Sequence, residues 1–406
     1  MKKRDLLKLG SVLFTTASLG AITGYGVSSL ANKKAEVAND GSFSIEPEQT
    51  APYEYSSPMP FNKALIDELY EINQNHSKGK ITTLYSSLPS PLGKSIHPVL
   101  DSVRGDNYDI KTVDDYIDYV KYATEKGFKC VYVLNTTRPV AQNDEEIPKV
   151  IIQLFRKLYQ EGISAVKIAN PNILNIFASA LPFIDIHLST TSEYHHVQVY
   201  QNVLNTFPNI KLINIATDDN HNFEFLNSMR KLFPDVKLEL LINESRCVKN
   251  CIARYYHQCI HTVAFPCVGM ITNSPCFHLA KNNLIYPWQL EYYSAIGVNN
   301  FKFTSMPYSR NSIADVRYLS YYIDCIENGI ENYTANDLMD KIMHGMPQAS
   351  LIRFKQNYKL SKFIKEYLPD IKHFIKQGAR CASDCGVNCK YCYEFADKLE
   401  SFATRV

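Results

Sequence analysis

The chain has 406 residues, more than one average domain, with 45% hydrophobic and 21% charged residues, which fits a soluble globular core of ordinary composition. A net charge of +2 gives no electrostatic case for nucleic acid as a partner. Eleven cysteines are too sparse over this length for a disulfide scaffold, since such scaffolds are short and cysteine-dense.

The first segment, 1–31, pairs a basic start (MKKRDLLKLG) with an apolar, small-residue run that ends on Ser-Leu-Ala. That order describes an export signal or membrane anchor. Lys3-Arg4-Asp5-Leu6-Leu7 is similar to a twin-arginine export signal, with Lys3 in place of one arginine. The glycines, serines and threonines of the run make it a poor spanning helix, and a cytoplasmic amphipathic start is the alternative. Residues 32–78 are polar and proline-bearing and read as a linker with one helix near 62–75.

A rhythm starts near residue 79. Strand-like runs at 81–88, 129–137, 164–170, 184–191, 211–217, 237–244 and 299–306 alternate with amphipathic helical stretches, several of which stop on glycine (Gly127, Gly162, Gly297). Near-continuous apolar strands between helices predict a parallel sheet covered by helices. The span 79–330 matches the ~250 residues of a (β/α)8 TIM-like barrel. A doubly wound open sheet is the rival, and no Gly-x-Gly-x-x-Gly follows the first run to support its dinucleotide form. Residues 331–406 read as a helical extension with a cysteine-rich tail.

Barrel chemistry sits at the C-terminal ends of strands, and here those ends are polar: Tyr85-Ser86-Ser87, Asn135 to Arg138, Asn170, Ser189-Thr190-Thr191, Asp218-Asp219, and Asn243-Glu244. Asn243 and Glu244 stand out because a thiol group follows them directly. Cys247 and Cys251 open that group, with Cys259, Cys267 and Cys276 downstream. The tail CASDCGVNCKYC brings Cys381, Cys385, Cys389 and Cys392 within twelve positions. Thiols at such short gaps suit soft-metal ligation, either an iron–sulfur cluster or zinc. The Cys385-x3-Cys389-x2-Cys392 spacing is that of the radical S-adenosylmethionine triplet, but it lies too close to the chain end for a barrel to follow it. Cys130 and Cys325 stand alone in apolar runs and read as core thiols.

The stretch Leu240-Leu-Ile-Asn-Glu244, then Cys247-x3-Cys251-x2-Arg254-x2-His257, resembles the cysteine segment of barrel proteins classed with peptidase family U32, the collagenase-like peptidases; Arg246 is one extra residue before the first cysteine. LYSSLPSPLGKSIHP (84–98), VLNTT (133–137), IANP (168–171) and YPWQLEYYSAIGVNNFKFTSMPYSR (286–310) extend the resemblance across about 81–330. It implies a (β/α)8 barrel. Relatives that assist oxygen-independent hydroxylation hold a 4Fe–4S cluster on four barrel cysteines. Carried over residue by residue, the resemblance implies Cys247 and Cys251 as ligands, Cys276 as the third with Cys267 as its competitor, and Cys267 or Cys259 as the fourth. Arg254, Lys302 and Arg310 would then face the same mouth, where cations bind an anionic substrate or offset cluster charge. The expectation is an iron–sulfur enzyme with one or two clusters. It acts by redox or hydroxylation chemistry on a small or peptide-borne substrate, with an electron donor as partner. Glu244 is its proton carrier and Asn243 its hydrogen-bonding orienter. A hydrolase, as the family's label suggests, and a zinc-stapled, non-catalytic binding protein are the alternatives.

Overall fold

The computed structural model describes residues 35–37, 43–100, 110–136, 145–244, 271–304, 312–344, 347–377, 381 and 385–406. Eight parallel strands close into a barrel: β1 Tyr53–Pro58, β2 Gly79–Ser86, β3 Lys129–Leu134, β4 Ile163–Ile168, β5 Asp185–Leu188, β6 Ile210–Asn214, β7 Lys237–Leu241 and β8 Asn300–Lys302. Closure comes from β8, which pairs with β7 through Lys302↔Leu241 and with β1 through Lys302↔Ser56. Ahead of the barrel, Ala35–Val37 and Phe43–Ile45 form an antiparallel ribbon. The predicted TIM-like barrel is the architecture of the chain.

The barrel begins earlier than the sequence pattern indicates. Tyr53–Pro58 lies within the stretch read as linker, and it is the first staves of the ring, so the barrel runs from residue 53 and not 79. Flanking prolines and two serines mask the strand in the sequence. Tyr53 and Tyr55 turn outward and are buried, with the Phe301 ring of β8 5.8 Å from Tyr53 and 6.3 Å from Tyr55. The helix expected near 62–75 is present as Lys63–Asn75, started by Asn62, whose side chain accepts from the Ala64 and Leu65 amides.

Most other elements follow local sequence logic. Thr112 and Asp115 make a reciprocal capping box at the head of helix Val113–Glu125. Gly162 ends helix Glu146–Gln160 at φ +114°, where a Cβ would also press on Thr124 and Val120. The main core fills the space between the ring and its helices, and a separate inner cluster of Tyr85, Val131 and Ala165 lies inside the barrel. Cys130 and Cys325 are buried in the main core, as their apolar contexts predict.

After helix Ser312–Asn328 the chain builds an extension of helices Leu360–Tyr367, Ile371–Gln377 and Tyr391–Phe402, tied by the antiparallel pair Ile352–Phe354 and Ala403–Arg405. Among the described residues no helix is long and apolar enough to cross a membrane. The signal-like segment 1–31 lies outside them.

Candidate metal centre and barrel mouth

Inside the ring the strands present charge. Glu239 of β7 accepts from Ser56 Oγ at 2.5 Å, from Lys167 Nζ of β4 at 2.9 Å, and from the Asn214 amide of β6. Lys167 and Glu239 are each only 2% exposed. Burial alone would raise the Glu239 carboxyl, but Lys167, then Lys302, and the Ser56 hydroxyl outweigh it and hold it down at about 2. His187 of β5 is pushed down to about 3 by burial and then by Lys167, so its imidazole is neutral. Lys302 stands 4.2 Å and Lys167 5.6 Å from the centre of the Tyr85 ring, whose hydroxyl donates to the Phe303 carbonyl. Lys302, expected at the mouth, is the last residue of β8 and belongs to this charged floor. Sequence reasoning missed Lys167 and Glu239. The available signal was a single charge at an inward position of an otherwise apolar strand.

At the rim, Asn243 follows β7 and clamps Thr304, which follows β8. Its Nδ2 donates to the Thr304 carbonyl at 2.8 Å, and its Oδ1 accepts from the Thr304 amide at 2.7 Å and hydroxyl at 3.2 Å. The amide therefore orients the backbone that leaves β8. Glu244 beside it is half-buried. Cys247, Cys251, Arg254, Cys259, Cys267 and Arg310 lie outside the described residues.

The loops after β5 and β6 supply a pair that the sequence did not reveal. His195 Nδ1 is 2.8 Å from Asp219 Oδ2, and its Nε2 is 3.3 Å from Glu193 Oε2. Hydrogen bonds to Asp219 and then Glu193 raise the imidazole to about 10, against burial, so it is a cation at neutral pH. Asp219 is buried and also accepts from Asn222 Nδ2 at 3.1 Å. Exposed and oriented by a buried carboxylate, His195 is a proton-carrying group whose two ring nitrogens both face carboxylates.

The tail forms the clearest thiol site. Cys381, Cys385, Cys389 and Cys392 line one small cavity together with His373, Phe374 and Tyr393. Cys385 and Cys389 pair through their backbones, and the Gly386 amide donates to the Cys389 carbonyl at 3.0 Å. Burial, then the neighbouring Cys381, Cys385 and Cys389, push the Cys392 thiol up to about 12, with Lys281 opposing. His373 Nε2 stands 3.7 Å from Cys389 Sγ. None of the seven described cysteines is in a disulfide. Four soft thiols lining one cavity are the donor type that an iron–sulfur cluster or zinc takes. The fit is one of donor chemistry: among the described residues no three or more Cys, His, Asp or Glu side chains stand in a metal-holding group.

The tail leans on the barrel's own cysteine segment. In helix Pro275–Ala280, Phe277 places its ring 5.1 Å from Tyr393, and Lys281 just beyond reaches the Tyr393 hydroxyl at 3.3 Å. On the same helix Cys276 is buried; burial first and a hydrogen bond to Glu400 next raise its thiol to about 12. Cys276 thus faces the C-terminal helix Tyr391–Phe402. From the other side Phe374 stacks on His221, of the loop after β6, at 4.9 Å.

The model of a protein family, peptidase family U32, matches residues 102–262. No curated protein matches the chain in sequence. Among solved structures, a U32 peptidase aligns at 11% identity over 64% of this chain and 96% of its own, with a TM-score of 0.41. An N-acetylneuraminate lyase from Fusobacterium nucleatum aligns at 12% identity over 86% of this chain and 98% of its own, with a TM-score of 0.35. An alpha-amylase from Lactobacillus plantarum aligns at 10% identity over 69% and 80%, with a TM-score of 0.37.

Proposed function

We propose, for a chain similar to peptidase family U32 over residues 102–262 and folded as a (β/α)8 barrel, that it is an iron–sulfur enzyme of redox or hydroxylation type acting on a small or peptide-borne substrate. The observation that carries this reading is the convergence of Cys381, Cys385, Cys389 and Cys392 on one cavity against the barrel. An iron–sulfur cluster supplies one-electron transfer when bound. Cys247, Cys251 and Cys276, with Cys267 or Cys259, are the ligands of a second, barrel-borne cluster in the same proposal. Lys281 lies beside Cys385, where burial is outweighed by that thiol and Tyr393 and the ammonium stays charged, a counter-ion for bound thiolates.

The charged floor of the ring serves the substrate. Lys302 and Lys167 around Tyr85, balanced by one carboxylate, suit a ligand with an anionic group. Glu244 and His195 are the proton-handling groups at the rim. An external electron donor docks near the tail, and residues 1–31 direct export or membrane anchoring.

Anaerobic purification tests the proposal. The protein should be brown and contain iron and sulfide, both reduced in Cys389→Ala. A colourless preparation without iron refutes it, and stoichiometric zinc instead supports a stapled binding protein. A second reading, hydrolysis, draws on the family's label and the His195–Asp219 pair. Peptide cleavage that survives iron removal but is lost in His195→Ala or Glu244→Ala would select it.

A further inference from the structure

The imidazole of His373 faces the tail cysteines without belonging to their four-sulfur set. Its Nε2 lies 3.7 Å from Cys389 Sγ, within reach of an N–H···S hydrogen bond. The ring is held in that pose. It stacks on Tyr391 at 3.7 Å between centroids and 13° between planes, and the Tyr391 hydroxyl accepts from the Asp370 amide at 3.0 Å, three residues before His373. Phe374 adds an edge contact at 6.0 Å. A side chain locked by a stack and a hydrogen-bonded partner is pre-organised for one contact, and that contact is a sulfur.

We infer that His373 is a positioning and tuning residue of the tail centre, donating Nε2–H to the Cys389 sulfur and thereby raising the reduction potential of the cluster bound there. The inference rests on the iron–sulfur reading of the tail. The direction of the bond follows from proton count. In the metal-free protein either atom can carry the shared proton. When Cys389 ligates iron its S–H proton leaves to solvent and the sulfur can only accept, so the contact is a hydrogen bond in the imidazole form that carries its proton on Nε2. A hydrogen bond onto a ligating sulfur withdraws charge from it and favours the reduced, more negative cluster.

The test is a redox titration of anaerobically prepared protein, with the midpoint assigned to the tail centre by its absence in Cys389→Ser. His373→Phe keeps an aromatic ring for the Tyr391 stack but has no N–H. It should lower that midpoint so that the reduced-to-oxidised ratio at fixed ambient potential falls about tenfold, which is ~59 mV for a one-electron couple. His373→Gln restores an N–H and should recover most of the shift at equal iron content. An unchanged midpoint in His373→Phe overturns the inference while leaving the iron–sulfur reading intact. Wild-type protein without iron overturns both. If His373→Phe loses its iron, His373→Met against His373→Gln decides: equal midpoints overturn the inference, and a lower one in His373→Met supports it.

Discussion

Glu239 illustrates what a single buried charge does in this ring. It accepts from Ser56, Lys167 and Asn214, and it lies 72 residues from Lys167 in the chain. Glu239→Gln leaves Lys167 charged and buried without its counter-ion, so it should destabilise the fold by about 3–5 kcal/mol in urea unfolding. The double variant Lys167→Met with Glu239→Leu should cost less than Glu239→Gln alone, because no orphaned charge remains. Since the folded carboxyl sits at about 2 and its ordinary value is 4.5, the stability it gives is present above 4.5 and lost as pH falls through about 2. His195 has the opposite sign. Its folded value is raised from 6.5 to about 10, so its contribution is complete below 6.5 and lost as pH rises towards 10. The gap in thermal stability between wild type and His195→Asn should therefore narrow from pH 6.5 to 10; a constant gap would contradict the ion-paired histidine. The partnership of Glu239 with Lys167 could not be read from the sequence. A lysine in ISAVKI and a glutamate in KLELL look like the polar ends of strands, and only ring closure brings them together.

At the level of elements, the ring was legible because parallel strands buried on both faces read as apolar runs, and seven of the eight do so here. β1 was hidden for the converse reason: YEYSSP carries two serines that the interior tolerates, and it sits among prolines. Asn243 shows a similar limit. Its place between a strand and a thiol group suggests ligand chemistry, whereas all three of its hydrogen bonds run to Thr304 and tie the exits of β7 and β8 together. Asn243→Ala leaves the Thr304 amide and carbonyl without these partners and should cost about 1–3 kcal/mol. Asn243→Asp loses the Nδ2 donor but keeps the acceptor, and should fall between the two. If Asn243→Ala unfolds like the wild type while a catalytic readout fails, Asn243 serves a ligand and not the ring.

For the molecule as a whole, the question is how firmly the tail belongs to the barrel. The close spacing of Cys381, Cys385, Cys389 and Cys392 was readable, and the fold lines one cavity with them, but nothing local announced that the tail docks on helix Pro275–Ala280 through Phe277 and Lys281, or on His221 through Phe374. The barrel closes on its own strand-to-strand hydrogen bonds and owes nothing to the four thiols. Helix Tyr391–Phe402 is part of the main core through Phe395, Ala396, Leu399 and Phe402, but the thiol segment 385–390 ahead of it is half-buried or exposed and has less to hold it. A metal that binds the folded tail and not the unfolded one stabilises that part alone, by mass action. Chelation, or Cys392→Ser, should therefore open the thiol segment to limited proteolysis within residues 381–392. The cooperative melting of the barrel should shift by only a few degrees. Parallel loss of both transitions would mean that the thiol centre is a keystone of the entire fold, and that the electron-transfer role assigned to it gives way to a structural one.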